Sequence, residues 1–259
     1  MSVRTILFLA ALFFAGSTVA GQTDSLECSS KARLHYAIGL HTGLDIGAAV
    51  PFPLSAMGSD SKMNAVPVLC PQLGLSFTLR VAHRWTATIE STYKQVGIDA
   101  KARVSRQQFK DPDDPTIELN FRGSVEMGMR FSMLEIPIFV GYNLGGNEGR
   151  VLLGAYFSHI FLGRFNARPM KGVLSSPNDP NDTAEVYEPM DVQYFDNKLS
   201  NWDWGLLTGY EIKIFERATL SARLSMGMKD IFKPDAKIFD YKMLHMRGTV
   251  VFAYKLFRG

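Results

Sequence analysis

The 259-residue chain has few cysteines, little net charge and no long hydrophobic segment beyond its first residues. Two cysteines do not make a disulfide-dense scaffold. The net charge of +3 is scattered rather than gathered in a stripe, so it gives no indication of nucleic-acid binding. Only residues 6–15 form an apolar run, and about ten residues are too few to cross a membrane as a helix. The 46% hydrophobic content must therefore be distributed in shorter patterns.

The first segment has the order of a secretory signal peptide. Arg4 precedes the apolar run, and small residues follow it up to Gly21. We predict that residues 1–21 are the signal peptide and that the mature protein begins near Gly21 or Gln22. Cys28 lies too far from the apolar run to be the lipid-modified cysteine of a lipoprotein, so we expect no lipid anchor.

Polar and apolar residues alternate between positions 33 and 49, where the even positions are almost all apolar. Since successive side chains of a strand point to opposite faces, this segment is a strand with one apolar and one polar face. Similar alternation occurs at about residues 72–81, 85–98, 126–143, 150–166, 202–214, 220–229 and 244–256. Strands of soluble proteins usually have about 5 to 6 residues, whereas a strand that crosses a bilayer needs about 9 to 11. The length of these segments favours a membrane.

The connections between the eight segments alternate between short and long. This asymmetry is typical of outer-membrane barrels, which have short periplasmic turns and long outer loops. We predict an all-β fold, an eight-stranded antiparallel transmembrane β-barrel over residues 22–259, located in the cell outer membrane with both termini in the periplasm. A soluble lipocalin-like cup remains the alternative. In the segment 126–143 the apolar positions change parity near Met133 and Leu134, and we expect a β-bulge there.

An eight-stranded barrel is just wide enough for its own side chains to fill it. Parity places a set of charged residues in this interior, and we predict that they form an ion-pair plug: Arg33, Asp45, Arg80, Glu90, Lys94, Glu135, Asp203, Glu211, Arg223, Arg247 and Lys255. A narrow polar conduit is the alternative. Our hypothesis is that Glu135 anchors the network through an arginine such as Arg223.

Aromatic residues occur where the strands should meet the membrane surfaces. We expect Trp85, Trp202, Trp204 and Tyr254 to belong to the interfacial aromatic girdles. Residues 167–200 form the longest predicted loop. Cys28 precedes the first strand and Cys70 begins the second, so the two lie at opposite ends of a barrel and we expect no disulfide between them.

Three histidines, His35, His41 and His245, face inward by parity, and Asp45 is expected near His245 in the antiparallel register. A His/Asp pair can act as a base and its orienting group, but no serine or cysteine nucleophile is in evident reach. The spacing matches no strong metal-ligand motif. We expect no catalytic activity, no cofactor and no bound metal.

Residues 134–143, with the sequence LEIPIFVGYN, resemble a strand of the PorT-like outer-membrane β-barrel family of Bacteroidota-type bacteria. Residues 201–210, with Asp203, Gly205, Gly209 and Tyr210, are similar to a second strand of that family, and residues 223–230 and 249–257 to its last two. The chain departs from such barrels at its end, where Arg258 and Gly259 follow the aromatic Phe257.

The resemblance implies a non-enzymatic outer-membrane barrel with a structural or interaction role in secretion or envelope organisation. Its expected partners are outer-membrane lipid and envelope or secretion proteins, with no nucleic acid, and the barrel is expected to be monomeric. A narrow porin-like passage and a membrane-embedded lipid-modifying enzyme remain the alternatives.

Overall fold

Every long element of the described chain is a β-strand. The structure, a computed structural model, describes residues 35–52, 62–110, 118–145, 149–175, 183–186, 193–194, 196–234 and 242–259. Its strands are β1 (Tyr36–Phe52), β2 (Lys62–Val68), β3 (Cys70–Arg80), β4 (Trp85–Lys110), β5 (Glu118–Asn143), β6 (Gly149–Ser175), β7 (Thr183–Val186), β8 (Gln193–Tyr194), β9 (Trp202–Lys213), β10 (Ala218–Asp230) and β11 (Lys242–Arg258). A short 3-10 turn covers Asp196–Lys198. None of the helical structure in these residues is long and apolar enough to cross a membrane.

Eight of the strands close into a ring. Neighbours pair antiparallel in the order β1, β3, β4, β5, β6, β9, β10 and β11, and β11 pairs with β1 again. The short strands β2, β7 and β8 attach to β4 and β6 outside this ring. The predicted eight-stranded antiparallel barrel is confirmed. The predicted signal peptide and Cys28 lie outside the described residues.

The two ends of the barrel differ in their connections. At one end, which we call the turn end, tight hairpins join β3 to β4 and β9 to β10. In these hairpins Trp85 N–H donates to the Ala82 carbonyl and Ala218 N–H to that of Phe215, both at 3.2 Å. The start of β1 and the end of β11 also meet there, since Tyr36 and Gly259 exchange backbone hydrogen bonds. The long connections leave from the opposite end, which we call the loop end.

A continuous apolar band surrounds the outside of the ring. It includes residues 85–93 of β4, 134–142 of β5 and 202–212 of β9, where most of the alternating outward side chains are apolar or aromatic and exposed, with Ser91 and Thr208 as polar exceptions. Each of these stretches has about nine to eleven residues, the length that a tilted strand needs to cross a bilayer. The other parity carries the buried Asp45, Glu90 and Arg223, which face the interior. The barrel is therefore apolar outside and charged inside.

Strands β4, β5 and β6 continue past the band at the loop end, and they are longer than the sequence predicted. In this extension the polarity is inverted: Val96, Ile98 and Met129 are buried inside, while Arg130 and Arg164 are exposed outside. Apolar side chains inside and charged ones outside are the arrangement of a soluble barrel, which suits this part of the strands to water. Because our limits for β4 and β6 relied on apolar residues facing outward, they ended near the inversion, whereas the predicted segment 126–143 ran past it with a change of parity. The predicted loop 167–200 is thus shorter than expected, since β6 continues to Ser175.

The expected bulge near Met133 needs a correction. A register shift does occur there, between Ser132 and Met133, but the additional residue is Phe161 of the paired strand β6. Odd positions of β5 face inward on both sides of the shift, as the buried Phe131 and Glu135 show. The change of parity in the sequence came from the inverted polarity of the extension and not from a slip in β5.

Candidate functional site

The centre of the barrel contains a chain of four alternating charges. The ammonium of Lys94 lies 2.9 Å from Asp45 Oδ2 and 2.8 Å from Glu135 Oε1. Arg247 Nη2 donates to Glu135 Oε2 at 2.6 Å. Hydroxyls add two further bonds, since Thr249 donates to the other oxygen of Asp45, Oδ1, at 3.2 Å and Ser158 donates to Glu135 Oε2 at 2.9 Å. Each of the four charged side chains is at most 3% exposed, so the group is fully enclosed.

A second pair lies nearer the turn end. Arg223 donates two hydrogen bonds to Glu90, of 2.6 and 2.9 Å, and its Nε donates to Ser221 at 3.1 Å. This fork-to-fork arrangement fixes both side chains in direction as well as distance. The guanidinium also lies 4.9 Å from the centre of the Phe139 ring. The space left beside the pair is only about 20 Å³.

Two further carboxylates have partners that we did not predict. Arg150 donates to Glu211 through Nε at 2.8 Å and to Thr86 Oγ1 at 3.0 Å. The hydroxyl of Tyr156 donates to Asp203 at 2.8 Å. Arg150 and Tyr156 have the inward parity of β6, so the alternation of that strand was a signal for both residues that our interpretation did not use.

The hypothesis on Glu135 was wrong in the partner it named. Glu135 forms its ion pair with Arg247, and Arg223 pairs with Glu90 instead. Parity shows that a residue faces inward, but the partner depends on its height along the barrel axis, which the tilt and stagger of the strands set.

Two other predicted interior residues, Arg80 and Lys255, lie at the edge of this network. Arg33 lies outside the described residues. Arg80 is exposed at the turn end. Lys255 is half-buried and lines the opening there.

The three histidines do not form a catalytic group. His35 is exposed at the turn end, whereas His41 Nε2 lies 2.9 Å from Thr92 Oγ1 in the interior. His245 is fully buried against the edge of Phe131. The expectation that Asp45 lies near His245 was wrong, because the β1–β11 register places Thr249 opposite Asp45. Among the described residues, no group of three histidine, cysteine or acidic side chains is arranged to hold a metal ion.

The four charges around Lys94 and the Glu90–Arg223 pair together form what we call the ionic centre. An apolar layer covers it on the side of the loop end. Its buried side chains come from β1, β4, β5, β6 and β11 and from the segments that flank β9 and β10: Ala49, Val96, Ile98, Phe121, Val125, Met129, Phe131, Met133, Ile160, Phe165, Ala167, Leu199, Ile231, Phe232 and Met243. The layer and the ionic centre are in contact, since Arg247 donates to the sulfur of Met133 at 3.4 Å. We did not predict this layer.

Very little empty space remains at the ionic centre. A cavity beside Lys94 and Glu135 has about 10 Å³, and another beside Glu90 and Arg223 has about 20 Å³. A single water needs about 10 to 15 Å³. A larger space, a vestibule of about 650 Å³, lies at the turn end and is lined by Arg80, Arg150 and Lys255 among others.

The four predicted interface aromatics point outward. Trp85 lies at the turn end, where its ring is 4.8 Å from that of Tyr142. Trp202 and Trp204 lie on β9 towards the loop end, and Phe157 stacks on Trp202 at 5.1 Å. Tyr254 is exposed on β11, opposite Leu40. Trp85 and Trp202 are the first residues of β4 and β9, whereas Tyr254 lies between the exposed Phe252 and Leu256 of β11. Cys70 is buried and has a free thiol.

The sequence profile of the family described as outer membrane protein beta-barrel domain matches residues 22–233. No curated protein sequence matches the chain.

Several solved structures are similar. The attachment invasion locus protein Ail of Yersinia pestis is 9% identical, covers 86% of this chain and 99% of its own, and has a TM-score of 0.36. Neisserial surface protein A is 11% identical over 85% of this chain and 97% of its own, with a TM-score of 0.36. The outer-membrane protease OmpT of Escherichia coli is 8% identical over 91% and 99%, with a TM-score of 0.33.

Proposed function

This chain belongs to the outer membrane protein β-barrel domain family, and on that basis we propose that it is a closed, non-enzymatic barrel with a structural or interaction role in the envelope. Its location is the outer membrane, as the family indicates. The finer role that we propose is the PorT-like one, in which a monomeric barrel assists secretion or envelope organisation through contacts with partner proteins.

The filled interior is the observation that carries this proposal. A solute on the barrel axis would meet first the Glu90–Arg223 pair and then the four charges around Lys94 and Glu135. Beyond them it would meet the apolar layer. Passage requires that paired charges separate inside a low-dielectric space, and removing one partner of such a pair costs about 3 to 5 kcal/mol. This barrier supports a closed barrel.

The first prediction concerns conductance. We expect the purified barrel in a planar bilayer to show no sustained channels, because no continuous polar path connects its ends through the described interior. An open porin inserted in the same bilayer is the positive control. Sustained channels of large conductance would contradict the proposal and favour the porin-like alternative.

The orientation that we propose places the turn end and both termini in the periplasm. It is supported by the tight hairpins at that end and the long connections at the other, the asymmetry of outer-membrane barrels. A short epitope inserted at Arg217, in the hairpin between β9 and β10, should be inaccessible to antibody on intact cells. An epitope in the loop between β10 and β11 should be accessible.

The surface that we propose for partner contacts is the extension of β4, β5 and β6 beyond the band. Its outer face carries charged side chains, including an exposed Lys101–Glu126 pair of 2.7 Å, beside a groove of about 340 Å³ lined by Gly128 and Asn166. A photo-crosslinking residue at Lys101 should capture envelope or secretion proteins, whereas one at Arg84 in a turn-end hairpin tests whether the partners bind at the other end.

The alternative of a lipid-modifying enzyme has its own test. A deletion strain with a changed lipid composition, together with purified protein that restores that composition by acting on lipid, would favour an enzyme.

A further inference from the structure

The vestibule at the turn end is large enough to hold a small molecule. Its volume of about 650 Å³ falls within the range of about 300 to 1,000 Å³ typical of ligand pockets. Towards the barrel centre it narrows to the small space beside Glu90 and Arg223, with which it shares Thr78, Arg150 and Lys255 as lining residues. It is a recess open at one end, and the ionic centre forms its floor.

Positive charge predominates in this recess. The lining includes five cationic side chains from different strands and positions of the ring: Arg80, Arg150, Lys213, Lys255 and Arg258. The acidic side chains of the lining are Glu211 and Glu216. Glu211 is already bound by Arg150, and Glu216 is exposed at the hairpin. Charge of one sign that lines a concave surface concentrates counter-ions there.

Lys255 is the cation that most lacks compensation. Its side chain is half-buried, and the charged groups near it include the cations Arg150, Arg258 and Lys213 and the carboxylate of Glu211. No carboxylate in the described part of the chain forms an ion pair with it. A cation withdrawn from water is costly unless an anion is close. This position is therefore suited to an anion supplied from outside.

The recess also offers a hydroxyl group. Thr219 lines it together with the cations, whereas the hydroxyls of Thr78 and Thr86, also in the lining, already bond to Thr88 and to the Gly141 carbonyl. Oxyanions of the phosphate type are bound by converging arginine, lysine and hydroxyl donors, because their several oxygens accept hydrogen bonds from different directions. A planar carboxylate has only two oxygens to offer to donors that come from different strands of a ring.

We propose that the vestibule is a binding site for a small phosphate-class oxyanion, such as a phosphate monoester, with Lys255 as its central cation and Arg80 at its rim. The site faces along the barrel axis and not towards the bilayer, so its ligand is a water-soluble molecule. It depends on the turn end of the barrel alone and is independent of whether the interior conducts.

The test is calorimetric titration of the refolded barrel in zwitterionic detergent and chloride buffer, with inorganic phosphate and glycerol 3-phosphate as probes. We expect one site per chain with a Kd on the order of 1 mM or lower. Lys255→Met should weaken binding at least tenfold, and Lys255→Arg should retain it. Lys101→Met, which removes an exposed cation at the loop end, is the matched control and should bind as the wild type does.

Thermal unfolding separates a binding role from a structural one. In phosphate-free buffer the Tm of Lys255→Met should equal or exceed that of the wild type, because the variant removes an uncompensated charge. Phosphate should raise the Tm of the wild type but not that of the variant. Absence of binding by the wild type, equal binding by Lys255→Met, or a lower Tm of that variant in phosphate-free buffer would overturn the proposal.

Discussion

At the scale of single residues, the ion pairs inside the barrel depend on which charged side chains lie at the same height along the barrel axis. Asp45, Lys94, Glu135 and Arg247 alternate in sign, so each inner member of the chain lies between two opposite charges. Small residues make room for the polar groups: a Cβ at Gly74 would lie 2.6 Å from His41 Nε2. The network is thus a packed part of the structure and not a set of solvated side chains.

Glu135→Gln is the variant that tests this network. The amide has the shape of the carboxylate but no charge, so Arg247 loses its counter-charge and Lys94 loses one of its two. We therefore expect the free energy of unfolding to fall by about 3 to 5 kcal/mol. Urea unfolding in lipid vesicles measures it. The matched control is Glu126→Gln, whose partner Lys101 is 77% exposed, and there we expect a change of at most about 1 kcal/mol. Equal stability of the two variants would mean that Glu135 is not an anchor.

Much of this site was predictable from parity, and its pairings were not. Alternation correctly placed Asp45, Glu90 and Lys94 in the interior, because the side chains of a strand must alternate. It could not pair Glu135 with Arg247, since the two are far apart in the sequence and meet only across the closed barrel. Arg150 is a different case. Its position in β6 indicated an inward side chain, but we did not include it among the predicted interior residues.

At the scale of the elements, each long strand responds to two solvents along its length. On β5 the exposed side chains are apolar at Ile136 and Ile138, which lie in the band, and charged at Arg130 in the extension. Inside, the order is reversed, with Glu135 in the band region and Phe131 and Met129 above it. One strand can therefore carry two opposite amphipathic patterns in succession.

Deletion of Phe161 tests the assignment of the bulge. Phe161 is the unpaired residue between Ile160, opposite Met133, and Leu162, opposite Ser132. Its removal restores regular pairing without changing which residues face inward, so we expect ΔPhe161 to fold, at a cost of about 1 kcal/mol for the lost stack on Tyr93. Gel mobility with and without heating measures the folded fraction.

The matched control for this deletion is ΔPhe157, which removes the same residue type from the same outer face of β6. Phe157 is regularly paired with Ile136, so its deletion turns the inward residues on one side of the gap outward. We expect ΔPhe157 not to fold. If both deletions folded, or both failed, the extra residue would not be Phe161.

At the scale of the whole molecule, the apolar band and its aromatic edges define the position of the barrel in the bilayer. The chain has three tryptophans, and each lies at an edge of the band: Trp85 at the turn end, Trp202 and Trp204 towards the loop end. Tryptophan favours the interface because its ring is apolar and its N–H needs a polar partner.

Variants that retain one tryptophan each allow this position to be measured. In vesicles of brominated lipid, we expect bromines close to the headgroup to quench the fluorescence of each single-tryptophan variant more strongly than bromines at the bilayer centre. The same variants unfolded in urea should show no such difference. Stronger quenching of Trp85 by the deep bromines would contradict its position at the edge of the band.

The sequence alone determined the fold class, the number of strands in the ring and the faces of the strands within the band, because these follow from local alternation between hydrocarbon and an enclosed interior. The partners inside the barrel, the extra residue in β6, the apolar layer and the charged vestibule were decided only by the tertiary structure. Closure of the ring brings distant strands to a common height, and their stagger selects which side chains meet.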